Sequence, residues 1–410
     1  MKMTDTTIIG AGQSGLSMSH ALSQRSIDHL VLDRGEIGNS WRTQRWDSLR
    51  MLTPNWANGL AGAPYSGSDP DGYMTASEFV LQLEAYASRN TSQVLRRSAV
   101  HKVTHTNGGF LVESESGSIS SRTVVIATGA TACSSIPGAA NYLPSSVFQI
   151  TPDRYRRPSD LPPGGVLVVG ASASGVQLAR ELRLAGHDVI LAAGSHVRLP
   201  RRYRGMDIEH WLEVTGTLDQ TSHDIFEQNR ARKLVSAQLM GGTENVDLNA
   251  LQSLGISVVG RLADIRDGNA LFSGGLANLA ASADLKMHRF LDLVDGWIAE
   301  NDVEMPQPDR PGETSLPIVP TLSLPLDNGP IRTVVWATGF VPDFSFLDLP
   351  VFNRRGRLIH DGGVCQLPGL YVLGLPFLRR RRSSQISGAA HDAAELAQHI
   401  ETHLRTRTAA

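Results

Sequence analysis

A β-branched run closing on Gly10-Ala11-Gly12-Gln13-Ser14-Gly15, a second one closing on Gly170-Ala171-Ser172-Ala173-Ser174-Gly175, and two strand-like runs that both end in Ala-Thr-Gly predict an α/β chain of two Rossmann-like dinucleotide-binding domains, one inserted into the other. A length of 410 residues suits two or three domains. With 38 Lys+Arg against 40 Asp+Glu the net charge is −2, which excludes bulk electrostatic affinity for nucleic acid or an anionic membrane. Hydrophobic residues at 41% and charged residues at 19% are the proportions of a folded globular protein, not of a disordered or fibrous one.

The first element is the strand ending at Thr6-Thr7-Ile8-Ile9, followed by the glycine turn and a helical pattern to Leu22. Gly10 permits the tight turn, Gly12 lets a pyrophosphate approach the backbone, and Gly15 lets helix and strand pack closely. Gln13 and Ser14 open the helix, whose unpaired N–H groups and positive dipole face the phosphates. The next strand, His29-Leu30-Val31-Leu32, ends at Asp33 and Arg34. A carboxylate at Asp33 accepts hydrogen bonds from a ribose.

The pattern returns after Val166-Leu167-Val168-Val169, with Gly170, Ser172, Ser174 and Gly175 forming the cradle and a helix running from Val176 to Leu184. Ser172 stands where the first motif has its middle glycine, and serine is small enough for that place. The following strand, His187 to Leu191, runs into Ala192-Ala193-Gly194-Ser195-His196 without a carboxylate. A ribose carrying a 2′-phosphate is repelled by an acid there and attracted by Ser195, His196, Arg198, Arg201 or Arg202, which favours NADP(H) over NAD(H). The alternative for each arginine is a solvated loop.

The strands Val124-Val125-Ile126 and Val334-Val335-Trp336 both run into Ala-Thr-Gly, placing Thr128, Gly129, Thr338 and Gly339 at points where the chain can pass between domains. Proline- and glycine-rich linkers flank the second motif, at Tyr155 to Gly165 and at Pro306 to Pro311. The expected division is an outer domain of residues 1–157 and 325–410 with an inserted domain of residues 158–324. Within the insert, residues 276–301 read as a helix with Leu279, Leu285, Phe290, Leu293 and Ile298 along it.

Two cysteines, Cys133 and Cys365, build neither a disulfide framework nor a zinc site, and there is no CxxC. The thirteen histidines lack ligand spacing, so no metal is expected. No run reaches the roughly 18 apolar residues of a membrane span, and the N-terminus lacks a signal-peptide pattern. A reducing cytoplasm is the expected location.

Taken together, Gly10–Gly15, Gly170–Gly175, both Ala-Thr-Gly turns, Gly38-Asn39-Ser40-Trp41-Arg42, Arg45-Trp46-Asp47-Ser48-Leu49 and Pro368-Gly369-Leu370-Tyr371-Val372-Leu373-Gly374-Leu375-Pro376 make the chain resemble the class B type flavoprotein monooxygenases, flavin-containing and Baeyer–Villiger-like, over most of its length. The resemblance implies FAD in the outer domain and NADPH in the inserted one, with a small organic substrate and O2. In such enzymes oxygen adds at the flavin C4a carbon of the reduced cofactor and one atom passes to the substrate. The cofactor carries the hard chemistry, so few acid–base groups are required of the protein.

The family fingerprint FxGxxxHxxx(Y/F/W) departs here: Ser145, Val147, Thr151 and Tyr155 stand at its four places, with Pro158 after them. An NAD(P)H reductase passing electrons to an acceptor without oxygen insertion is therefore the rival reading, and a non-catalytic nucleotide sensor the third. In the pyridine-nucleotide reductases Gly-Asp begins the last flavin-binding element, whereas Leu375 follows Gly374 here.

Trp41 and Arg42 are expected beside the flavin, and Gly374 at its last binding element. Asn55 and Asn58 are amide donors for the reacting face, with turn formation as their alternative. Gln385, at the start of a helix-like run, is expected at the flavin ring or on the surface. Trp46 fits core packing as well as the site. Tyr203, Arg204, His210 and Trp211 border NADPH or substrate, or simply pack.

Overall fold

The computed structural model describes residues 2–90, 93–221, 224 and 236–408. Lys2–Ile9 lies between two parallel neighbours, His29–Leu32 and Gly117–Ile126. Strands flanked on both sides and covered on both faces must be apolar throughout, and Ile8, Val31, Val124 and Val125 are accordingly inaccessible to solvent. The helix Gln13–Ser23 covers the sheet with Leu16, Met18 and Leu22, and the C-terminal helix Ile386–Thr408 packs against it with Ala393, Leu396, Ala397 and Ile400. Among the described residues this sheet has nine strands. Its main path runs His360–Asp361, Val364–Cys365, Leu370–Val372, Gly117–Ile126, Lys2–Ile9, His29–Leu32, Val94–Leu95, and the antiparallel pair Val100–Thr106 and Gly109–Ser114 branches from Gly117–Ile126.

The second sheet, of five strands among the described residues, is ordered Ser257–Val259, Val189–Ala192, Gly165–Val169, Ile331–Trp336, Phe148–Ile150 and is parallel throughout. Its membership moves the expected boundaries. Ile331–Trp336, expected in the outer segment 325–410, pairs with Gly165–Val169, and Phe148–Ile150, expected in segment 1–157, pairs with Ile331–Trp336. The physical reason lies in the two glycine turns. Gly10 holds a φ of +112° and Gly170 one of +113°, values reserved for residues without a Cβ. A Cβ on Gly10 would lie 2.5 Å from the carbonyl oxygen of Ala127, and one on Gly170 closer still to that of Ala337. Each Ala-Thr-Gly end therefore closes its own glycine turn, so the second belongs to the inserted unit.

The chain crosses between the units on two short antiparallel strands, Cys133–Ser134 outward and Phe340–Val341 on the return. The Ser135 N–H donates to the Gly339 carbonyl at 2.8 Å and the Thr338 hydroxyl to the Ser135 carbonyl at 2.5 Å. The expected long helix is present as Leu276–Glu300, but its buried stripe is Leu276, Ala280, Ala283, Met287, Leu291, Val294 and Ile298. Leu285 and Leu293 are exposed, because they lie on the side of the helix turned away from the rest of the unit.

A Cβ on Gly175 would overlap the Gly170 carbonyl. Gly175→Ala is expected to cost about 2–4 kcal/mol through forced backbone displacement, read from the midpoint of urea unfolding. An unchanged midpoint would show that the helix need not approach its strand so closely.

Candidate functional site between the two glycine turns

The helix Gln13–Ser23 begins at Gly12 with no side-chain cap and no acidic residue in its first turn. The helices Ile208–Val214 and Leu248–Ser253, in contrast, have their first amides met by the carboxylates of Asp207 and Asp247. An uncapped, uncharged N-terminus retains its donors and positive dipole for an anion. A Cβ on Gly12 would meet nothing within 4 Å, so the space in front of the turn is open. Gly374 approaches from the C-terminal segment so closely that a Cβ on it would lie 2.5 Å from the Ser14 Oγ. Gly10, Gly12, Gln13, Ser14, Gly15 and Gly374 thus gather at one turn, with Thr128 and Gly129 following the strand that closes it.

Asp33, expected at a ribose, is bonded within the turn itself. Its Oδ2 accepts the Ala11 N–H at 2.7 Å and its Oδ1 the Gly35 N–H at 2.9 Å, so it clamps the first glycine turn from within. Burial pushes its pKa up against the pull of those amides. Each oxygen keeps a lone pair for a ribose hydroxyl. The Thr128 hydroxyl is buried without a partner among the described residues, a polar atom that a bound group can satisfy.

Trp41, expected beside the flavin, lies against the first residue of the helix that follows the first turn. Its indole N–H donates to Gln13 Oε1 at 3.2 Å, its ring meets Phe79 edge-on at 5.0 Å, and it packs against the cores of both units. Arg42, expected beside the flavin with it, instead turns its guanidinium to the Ile37 carbonyl at 3.0 Å and to Glu84 at 2.6 Å, because the helix Ala76–Asn90 supplies a carboxylate that the turn lacks. Arg34 is exposed. The cation near the indole is Arg45, 4.8 Å above the Trp41 ring. Burial lowers its pKa to about 10, with Asp153 opposing. Within its motif nothing in the sequence distinguished this arginine from Arg42. Trp46 is buried in the core of the inserted unit.

Asn55 and Asn58 serve their own loop. Asn55 donates to the Asp69 carbonyl and accepts from the Met74 N–H, both at 2.8 Å. Asn58 donates to the Thr53 and Pro54 carbonyls at 3.1 Å and accepts the Thr53 hydroxyl at 2.6 Å. With these bonds made, the expected role as free donors at a reacting centre gives way to turn formation. Their loop packs against the helix Ile386–Thr408, at whose start stands Gln385. The Gln385 Oε1 is buried without a partner among the described residues.

At the second turn Ser172 repeats the backbone of Gly12, with φ/ψ of −85°/−177° against −85°/−173°, and again no side-chain cap. Ser174, two residues further on, is half-buried, and Thr338 and Gly339 lie at this turn rather than at the first. Ser195 is exposed.

Three of the basic residues expected at a 2′-phosphate are committed elsewhere. Arg198, 3% exposed, pairs with Asp247 and Asp284, both at 2.7 Å, and donates to the Gly312 carbonyl. Burial works to raise the Asp284 pKa, but the Thr314 amide and Arg198 outweigh it and hold the carboxyl below its ordinary value. Arg201, 1% exposed, pairs with Asp207, donates to the Leu52 carbonyl at 2.8 Å, and lies 5.1 Å over the Tyr73 ring. His196 has its Nδ1 at 2.9 Å from the Gly194 carbonyl, which fixes the proton there and leaves the buried Nε2 an acceptor. Burial lowers its pKa, so it stays neutral and offers a phosphate no charge. Arg202 remains exposed on a surface hairpin.

The aromatic cluster is packing. Trp211 is fully buried and donates to the Tyr203 carbonyl at 2.7 Å, His210 meets it edge-on, and Asp295 takes Tyr203 and Arg204. At the fingerprint, Tyr155 is fully buried with its hydroxyl on Glu181 at 2.9 Å, while the Thr151 carbonyl accepts the Arg154 and Tyr155 amides.

Arg198→Ala leaves two buried carboxylates without their cation, and the expected cost is about 3–5 kcal/mol, measured by chemical denaturation. An unaltered denaturation midpoint with a raised NADPH KM would return Arg198 to the coenzyme site.

Comparison with known proteins places this geometry. The family model described as pyridine nucleotide-disulphide oxidoreductase matches residues 7–213, half of the chain. The chain is 31% identical to the CzcO-like oxidoreductase of Geobacillus kaustophilus over 98% of its own length and 99% of that protein's. It is 28% identical to an indole-3-pyruvate monooxygenase of Arabidopsis thaliana, covering 68% of this chain and 70% of the relative. The flavin-containing monooxygenase from Stenotrophomonas maltophilia shares the fold, with a TM-score of 0.68 at 18% identity over 98% of this chain and 99% of that one. The chain belongs to the pyridine nucleotide-disulphide oxidoreductase family and is an oxidoreductase with the two-domain fold of the flavoprotein monooxygenases.

Proposed function

We propose that the chain is an FAD- and NADPH-dependent monooxygenase that inserts one oxygen atom from O2 into a small organic substrate. The observation that carries the reading is a pair of open, uncapped glycine turns in a chain without a dithiol. Cys133 lies exposed on a crossing strand, and Cys365 is buried within the first sheet with its pKa pushed up to about 12 by burial. Neither forms the CxxC pair that dithiol–disulfide exchange would draw on. A reducing, cytoplasmic location fits the exposed, unpaired Cys133.

FAD would be held at the first turn by Gly10, Gly12, Gln13, Ser14, Gly15 and Gly374, with Asp33 taking the ribose. The second turn, through Gly170, Ser172, Ser174 and Gly175, would hold NADPH. When bound and reduced by the nicotinamide, the flavin supplies the oxygen-activating chemistry. The chain's own groups bind and enclose. Trp41, tied to Gln13 and wedged between both cores, forms an apolar wall that keeps water away. Gln385 and Thr128 keep hydrogen-bonding capacity that a bound cofactor could use.

Because the protein itself leaves room for a Cβ on Gly12, Gly12→Leu is expected to fold normally by circular dichroism and to retain about a tenth or less of the wild-type flavin. Full flavin occupancy would move FAD away from this turn. Oxygen-18 gas supplied with NADPH and a panel of amines, sulfides and ketones is expected to place one labelled atom in a product. NADPH consumption that yields a reduced acceptor and no labelled product under any condition would establish the reductase reading, which the Val147 and Thr151 departures favour.

A further inference from the structure

We infer that Arg261 recognises the 2′-phosphate of the pyridine nucleotide, with the Ser195 hydroxyl at the same turn; this rests on the reading that the second glycine turn takes NADPH. The duplication of the nucleotide unit carries the argument. In the first unit Ile9 pairs with Leu32 and Leu32 with Leu95; in the second Val169 pairs with Ala192 and Ala192 with Val259. The bonds just beyond repeat as well. Gly10 N–H donates to Leu32 O at 2.7 Å and Gly170 N–H to Ala192 O at 2.9 Å, while Asp33 N–H donates to Leu95 O at 3.0 Å and Ala193 N–H to Val259 O at 2.9 Å. Position 193 therefore corresponds to 33, 196 to 36, and 261 to 97.

The chemistry at these paired positions is opposite. In the first unit Asp33 is a carboxylate and Arg97 is neutralised by Glu36 at 2.9 Å, a setting for a ribose whose 2′-hydroxyl is free. In the second unit Asp33 is replaced by Ala193 and Glu36 by His196, and both carboxylates are gone. Arg261 keeps its guanidinium with no hydrogen bond or ion pair to it among the described residues, and it is exposed. Its aliphatic carbons run 3.7–3.9 Å from the Cβ position of Gly194, so its stem lies along the turn at the end of the second strand. Its carbonyl accepts the Ser273 N–H at 2.9 Å, which fixes the backbone. An unneutralised guanidinium held there suits a phosphate dianion, which it can bind through two parallel N–H bonds. Arg198 and Arg201 cannot compete, since their charges are already met by buried carboxylates.

Titration calorimetry on the FAD-loaded, oxidised protein tests this with NADP⁺ and NAD⁺ as probes. The wild type is expected to bind NADP⁺ about tenfold or more tightly than NAD⁺, and Arg261→Ala to lose roughly that factor for NADP⁺ while staying within about twofold for NAD⁺. Arg261→Lys should fall between them, and Arg202→Ala should leave the ratio unchanged. A wild-type ratio retained in Arg261→Ala would overturn the assignment of Arg261 and leave the coenzyme reading standing. A wild type that does not discriminate at all would overturn the coenzyme reading itself.

Discussion

Two carbonyl groups set the plan of this molecule. The oxygen of Ala127 fills the place where Gly10 would carry a side chain, and the oxygen of Ala337 does the same at Gly170. Any larger residue at either glycine would push the closing strand away from its neighbour. That contact aligns the strand to be closed, starts the helix in the right direction, and leaves its first amides facing open space. Sheet order, the crossing points and the two cradles all follow from it.

The second organising force is electrostatic and joins the units to each other. Arg201 reaches from the inserted unit to the Leu52 carbonyl, and Tyr73 reaches back to Asp207 at 2.5 Å. On the other flank Arg382, 4% exposed, pairs with Glu213 and Asp219 across the same boundary, and Arg381 donates to Gln220. A desolvated guanidinium needs a carboxylate to answer its charge, so the Arg201 and Arg382 pairs specify how one unit sits against the other. Arg379 and Arg380 answer Glu395 and Asp392 instead, bracing the start of the C-terminal helix. The run Arg379 to Arg382 is thus an anchoring strip.

Local pattern made the glycine turns and their helices readable, because each depends on neighbours within a few residues. Sheet membership was not readable at 331–336. The two Ala-Thr-Gly endings are identical in sequence, and nothing local says which glycine each one meets. The arginines failed for a related reason. Arg198 is answered by Asp247 and Asp284, far along the chain, so sequence proximity to the nucleotide motif suggested a ligand where folding made a core ion pair. Asn55 and Asn58 were ambiguous by chemistry, since the same amide that could face a cofactor also closes a loop. The buried stripe of Leu276–Glu300 was hidden because two alanines stand in it while Leu285 and Leu293 face solvent.

The insertion also sets an order of events during synthesis. The inserted unit has all its strands once Trp336 has left the ribosome. The outer unit does not. The last three residues of the strand Gly117–Ile126 keep an open edge until Leu370–Val372 arrives, and the face over the helix Gln13–Ser23 stays uncovered until Ile386–Thr408 is made. For that interval the nascent chain carries a finished domain inside an unfinished one, with an unpaired strand edge of the kind that invites misassembly. Premature termination just past the second crossing would release a chain whose inner domain is complete and whose outer domain is exposed to chaperones and proteases.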